Sequence, residues 1–203
     1  MNPTQEMIKR LFLSIAISVA ALIAGTNSVT AAVTRCESLL PEGTYDTVLV
    51  PKGKNCVLGG GVIVEQNVIL QEGASLTIDG NLTVNGNLQG NGVDSVLMIG
   101  GGISIHGNVS ITGATGAVFL DHVTIGGNLN ISNSNVSGIA VAASQVTGNA
   151  LFQNNTTNNT PGSFGIVTTA IFGNLVCNGN NPVPELVEPI TVSGRTIGQC
   201  KLP

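Results

Sequence analysis

Four cysteines, two histidines and a thin scatter of carboxylates are the residues of this 203-residue chain that could do chemistry. The histidines are His106 and His122, and the carboxylates nearest to them are Asp79, Asp94 and Asp121. Hydrolysis of a polysaccharide needs two or three carboxylates in one cleft, one to protonate the leaving oxygen and one to act on the sugar or on water. Lyase chemistry on an acidic glycan needs a cation held by carboxylates and a basic Arg or Lys. Between Lys54 and Arg195 there is no Lys or Arg at all, so such a base would have to come from a terminal segment. Asp121 and His122 read as neighbours on one turn. No Cys-x-x-Cys spacing supports zinc, and no P-loop, dinucleotide fingerprint or nucleophile elbow occurs. The reading is therefore no catalytic set, no metal and no cofactor. The alternative is a small polysaccharide-active enzyme.

Composition narrows the classes further. Only 9% of residues are charged and 3% aromatic, with 27 Gly and no Trp. A mean hydropathy of +0.37 excludes a disordered chain. Seven Lys and Arg are too few for a nucleic-acid binder that neutralises phosphates. Lys9 and Arg10 precede an apolar run of 14 residues from Leu11 to Ala24, and small residues follow up to Ala31 and Ala32. This pattern predicts a signal peptide over 1–32, cleaved after Ala31 or Ala32. The run is short against the ~20 residues of a membrane span, so no membrane attachment is expected after cleavage. The mature chain would carry 5 basic and 10 acidic residues. Cys36, Cys56, Cys177 and Cys200 all remain, and an even count in an oxidising compartment suggests two disulfides. Three pairings exist; the local one, Cys36 with Cys56 and Cys177 with Cys200, is favoured.

The elements that would position these residues are repeats. An Asn recurs just before an apolar-x-apolar triplet at Asn67, Asn87, Asn108, Asn128, Asn149 and Asn174, with spacings of 20, 21, 20, 21 and 25. From Asn87 onward each follows a Gly. Apolar pairs hold register upstream: Val64, Val84, Ile105, Ile125, Val146 and Ile171 stand three before the Asn. Further upstream come Leu76/Ile78, Leu97/Ile99, Val118/Leu120, Ile139/Val141 and Phe164/Ile166. Three short alternating strands per ~21 residues predict an all-β parallel β-solenoid of five to six coils, right-handed by its period. Coils would stack about 4.8 Å apart. The Asn residues would form a ladder that satisfies buried amides, and the Gly before each would supply the backbone angles of a sharp corner. Residues 33–61 read as an N-terminal cap, 62–179 as the β-helix and 180–203 as a C-terminal cap. The Cys177–Cys200 bond would fold that last segment over the open end as a lid.

The string Gly173-Asn174-Leu175-Val176-Cys177-Asn178-Gly179-Asn180 with Gly198-Gln199-Cys200 resembles a group of uncharacterised secreted bacterial β-helix proteins. These carry GNLxxxG coils and a terminal NLxCxGN…GQC. The resemblance spans Gly80 to Cys200 and implies the fold and export, with no catalytic residue. The architecture is also similar to pectate-lyase-like right-handed β-helices and, by analogy, to the polymer-forming bactofilins.

Outward positions bear on partners. The middle-strand column reads Ile63, Thr83, Ser104, Thr124, Gln145 and Ala170, too narrow a Thr row for ice binding. With Leu97 and Ile99 inward, Met98 and Phe119 would form an outward apolar patch. The tail residues Leu186, Val187, Ile190 and Val192 could cover it; otherwise it is an interaction surface. The expected role is structural, or contact with a cell-surface glycan or protein, or self-association, for a protein that is secreted, periplasmic or at the cell surface.

Overall fold

A computed structural model describes residues 32–158, 160 and 162–201. The expected signal peptide lies almost wholly outside the described residues, and so do the last two positions. Among the described residues the regular elements are strands, and the chain visits three parallel sheets in strict rotation. The first sheet holds nine strands, from Val33–Arg35 to Thr196–Gly198. The second holds eight, from Leu39–Leu40 to Glu185–Val187, and the third eight, from Gly43–Tyr45 to Thr191–Val192. The protein is a parallel β-solenoid of about eight turns rather than five to six.

The extra turns come from segments expected to be caps. Thr47 stands in the column of Asn67, because Val48 pairs with Val68. At the other end Arg195 follows Asn174 in that column, its backbone N–H bonding the Asn174 side chain. Both ends have lost the Asn marker but kept period-2 alternation, as in Thr47-Val48-Leu49-Val50, whose Val48 and Val50 are fully buried. The tail does not fold across the lumen. Leu186 pairs with Ile166 and Val192 with Ile171, adding one more turn to the stack.

The interior is a set of apolar columns. One runs Leu58, Ile78, Met98, Leu120, Val141, Ile166. Met98 is therefore an inward residue with 0% exposure, not half of an outward patch. The segment Val96-Leu97-Met98-Ile99 is apolar throughout and carries no alternation, so only pairing with the coils on either side selects the face. That pairing turns Val96 and Met98 inward and Leu97 and Ile99 outward. The triplet after Asn87 has Gly90 at an inward position, and Val93 fills the gap: a Cβ on Gly90 would lie 2.7 Å from a Val93 methyl. Farther along, Phe152 and Phe164 meet edge to face with centroids 5.6 Å apart.

The glycines before the Asn residues have a different role from the one expected. Gly86, Gly107, Gly127, Gly148 and Gly173 are not in the left-handed region. They are required by close approach. From Gly107 onward each donates its N–H to the glycine one coil earlier, as Gly127 does to Gly107 at 2.9 Å. A Cβ on Gly127 would sit 2.8 Å from that same Gly107 carbonyl oxygen and 2.6 Å from Asn108 Oδ1. Left-handed residues instead mark two other corners, one through Gly73, Gly92, Gly113, Asn133, Asn154 and Gly179, the other through Gly80, Gly100, His122, Ala143 and Thr168.

Cys36 is bonded to Cys56 and Cys177 to Cys200, with Cα–Cα distances of 5.4 and 5.2 Å. All four are buried, so each bond staples a terminal coil to its neighbour at an end of the lumen. Each loop spans about twenty residues, which sets a chain-entropy contribution of about 3 kcal/mol. Reduction should lower the thermal midpoint and fray the ends first, read as hydrogen exchange faster over 33–58 and 185–201 than over 96–146. Gly127→Ala should cost about 1–3 kcal/mol through the steric conflict. Thr168→Gly, at an exposed position with φ 47°, should gain roughly 0.5–1 kcal/mol, since relief of a left-handed β-branched residue exceeds the entropy cost of Gly. Denaturant unfolding of both variants measures these differences.

Candidate functional site

The predicted Asn residues do form a ladder, on the outer corner of the first sheet. Asn67, Asn87 and Asn174 are half-buried, and Asn108, Asn128 and Asn149 are exposed. The expectation that the ladder serves buried amides is therefore corrected: it lies at the surface. In each link one Oδ1 accepts two bonds from the next Asn, one from its backbone N–H and one from its Nδ2. For Asn108 on Asn87 these measure 2.8 and 3.1 Å, and for Asn128 on Asn108 2.8 and 3.0 Å. The backbone donor fixes which amide atom is oxygen. From Asn67 to Asn149 both lone-pair positions of Oδ1 are thus occupied, while Asn174 Oδ1 accepts only the Arg195 N–H, and from Asn87 to Asn174 each Nδ2 uses one of its two hydrogens. Seen from solvent, the ladder offers N–H donors at one-coil spacing, and its one partly free acceptor is Asn174 Oδ1 at the last rung.

Beside it the same sheet face carries two further polar columns. Gln89, Ser110 and Asn130 align in one, and Asn91, Thr112 and Ser132 in the other. Ile69 precedes Gln89. These side chains surround a concavity of about 500 Å³ lined by Ile69, Leu70, Gln89, Gly90, Asn91, Ser110 and Thr112. Its chemistry is amide and hydroxyl edges with an aliphatic patch at Ile69. Asn130 Oδ1 is shielded from solvent and has no protein partner among the described residues. No ionisable side chain lines the concavity. The Lys and Arg ion pairs among the described residues lie near the N-terminal end: a Lys54 hydrogen bond, with help from Arg35, holds the Glu37 carboxyl below its usual range, and a Lys52 hydrogen bond does the same for Glu72.

The residues weighed for catalysis are not brought together. Asp79 lies on the outer face of the second sheet, and the coil between it and Asp121 carries Ile99. Asp94 sits at a corner, where its Oδ2 accepts bonds from the Ser75 and Ser95 hydroxyls at 2.9 and 3.1 Å. His122 pairs with Asp121 at 2.9 Å, while His106 follows the third-sheet strand Ile103–Ile105 at a different corner. Among the described residues no group of three or more His, Cys, Asp or Glu could hold a metal ion. Phe119 is outward as expected, but its neighbour in the column is Leu97 instead of Met98, and the tail continues the stack instead of covering it.

A second amide ladder lies inside the solenoid, where no Asn repeat marks it in the sequence. Inside the solenoid Ser134 N–H donates to Asn155 Oδ1, and Asn155 N–H and Nδ2 donate to Asn180 Oδ1 at 3.1 and 3.0 Å. Asn180 in turn donates to Gln199 Oε1, 2.8 Å from its backbone nitrogen. Asn155 has 0% exposure and Asn180 5%. The nearest signal was the terminal NGN…GQC string, whose Asn180, Gln199 and Cys200 close this ladder and the second disulfide. Asn155 itself sits in a polar run that reads as a loop.

No family model, no curated protein and no solved structure matches the chain.

The two ladders differ in burial, and that difference is measurable. Asn128→Ala should cost about 1 kcal/mol, since water can satisfy the freed Asn149 N–H. Asn155→Ala should cost roughly 2–3 kcal/mol, since the Ser134 N–H would be left without its partner in a dry interior and the Ile131 carbonyl would lose one of its donors. Equal costs in urea denaturation would contradict this account.

Proposed function

We propose that this chain is an exported, non-enzymatic rod that binds cell-surface carbohydrate through the outer face of its first sheet. The observation that carries the reading is the row of free amide N–H donors along the Asn ladder, set beside the concavity at Ile69, Gln89, Asn91, Ser110 and Thr112. Sugar hydroxyl, ring and acetamido oxygens accept hydrogen bonds, and a sugar's axial C–H face suits an aliphatic side chain such as Ile69. The solenoid repeats these donors at one strand spacing, so a linear glycan lying along the axis would meet the same contact at successive coils. Rigidity supports affinity, because side chains held in ladders lose little further freedom on binding.

Two disulfides suggest an oxidising environment. Together with the basic-apolar-small pattern of residues 9–32 they support export. The terminal string that carries the resemblance has a structural role in this chain. Asn180 and Gln199 bond each other, and a Cβ on Gly198 would strike the Cys177 carbonyl and the Asn178 side chain.

Co-sedimentation with insoluble chitin, cellulose and peptidoglycan, followed by calorimetric titration with soluble fragments, tests the reading. Binding to at least one should appear, and Gln89→Ala combined with Asn91→Ala should weaken it about tenfold, the loss of one to two net hydrogen bonds. Both residues are exposed, so the variant should keep its melting temperature. Absence of binding to all three, or binding indifferent to the double substitution, would refute it.

A further inference from the structure

The compact body of the protein begins at Ala32. The Ala32 backbone nitrogen donates to Asp46 Oδ2 at 2.8 Å. Its carbonyl accepts the Thr47 N–H at 3.1 Å. Val33 then pairs with Thr47 at the start of the first sheet. Ala32 is thus held at both its nitrogen and its carbonyl by the next coil, although it precedes the first strand, Val33–Arg35.

The residue that holds the nitrogen is an exception in its column. One coil on from Asp46 comes Gln66, whose N–H bonds the Asp46 carbonyl at 2.8 Å. Gly86 and the later glycines of the ladder corner follow. Asp46 is the only ionisable member of that column and is half-buried. Farther along this corner, the backbone nitrogen of each Asn bonds the neutral Oδ1 of the Asn before it. A peptide N–H needs nothing stronger. A carboxylate is the acceptor suited to an ammonium group, with which it forms a charge-assisted bond.

We propose that the peptide bond between Ala31 and Ala32 is the processing site of this protein, and that Asp46 receives the α-ammonium group that the cut creates. The proposal rests on the export part of the reading above. The catalyst is a signal peptidase and the co-reactant is water. The C–N bond between Ala31 and Ala32 breaks, and the hydroxyl of water goes to the Ala31 carbonyl carbon. The other proton of water goes to the Ala32 nitrogen, and the proton of the new acid follows it. Ala31 is left as a carboxylate and Ala32 as an ammonium.

Small residues before the cut allow two bonds, one after Ala31 with Val29 third from the cut, the other after Ala32 with Thr30 there. The fold separates them. A cut after Ala31 keeps both Ala32 bonds and turns one donor into a cation facing a carboxylate. A cut after Ala32 removes the carbonyl that serves Thr47, a residue only 6% exposed. That N–H would lose its partner at the cost of its desolvation, and Asp46 would lose the nitrogen it holds. Cys36, just after the first strand, is bonded to Cys56, so the new terminus is anchored by ion pair, backbone bond and disulfide together.

Expression of the full chain, residues 1–31 included, in a bacterial host that exports proteins, followed by intact mass of the exported product, reads the cut. The mass should be that of a chain starting at Ala32. A second readout addresses Asp46. An amine-reactive ester at neutral pH labels only unprotonated amines, so pairing with the carboxylate should slow labelling of Ala32. Read by peptide mapping and normalised to Lys201 at the other end, labelling should run about threefold faster in Asp46→Asn than in the wild type. The melting temperature checks that the variant is folded. Should it not fold, the native and urea-unfolded wild-type chains are compared instead, with slower labelling expected in the fold. An exported chain that starts at Val33 or at any other residue, or that keeps residues 1–31, overturns the proposal and leaves export standing. A chain retained uncut inside the cell overturns both. Equal labelling rates overturn the capture by Asp46. Glycan binding at the first sheet is read independently by co-sedimentation.

Discussion

Everything in this molecule depends on the bonding of each coil's backbone to the coil before it at one strand spacing. That bonding leaves no freedom in register: a side chain on one coil has its counterpart about 4.8 Å away on the next. Columns follow, and a column tolerates only residues that can stack on themselves. Apolar residues do so in the lumen, and amides do so by hydrogen bonding. Glycine does so where neighbouring backbones approach too closely for a Cβ, as at Gly127 over Gly107. Like charges do not, and the central coils accordingly carry no Lys or Arg and few acids.

The same constraint explains why amide ladders appear in two places with different consequences. At the outer corner the Asn67-to-Asn174 ladder satisfies backbone N–H groups that water could also satisfy. Within the lumen, Asn155 and Asn180 satisfy groups that water does not reach, where an unpaired donor costs its full desolvation. The buried ladder lies in the C-terminal half, next to the Cys177–Cys200 staple. That end is thus held by polar register as well as by apolar packing, while the N-terminal end relies on Cys36–Cys56 and on Val48, Val50 and Leu58.

Three sheets give three outer faces, and their chemistries diverge. The first presents amides and hydroxyls beside a concavity, the second aliphatic side chains and Phe119, and the third a mixed column through Thr83, Ser104 and Thr124. The lumen constrains only every second residue of each strand, so the outward positions are free to specialise face by face. The result is a rod that turns a polar face one way and an apolar face another.

The fold class was legible in the residues because the solenoid writes itself as a period: Asn spacing near 21 and alternation of step two together leave little else. The local disulfide pairing was also legible, since cysteines at the two ends of a repeating chain reach their nearest neighbours most readily. Whatever repeats is therefore written in the residues themselves. The tertiary structure alone decided the rest. It counted the terminal turns, where Asp46-Thr47 and Gly194-Arg195 had replaced the Gly-Asn marker. It chose the face of Met98, where four consecutive apolar residues carry no alternation. It revealed the inner ladder, where Asn155 looks like loop polarity until Asn180 stands one coil away. In each case the deciding contact lies about twenty residues distant along the chain, and only the stacking of coils brings it within a hydrogen bond.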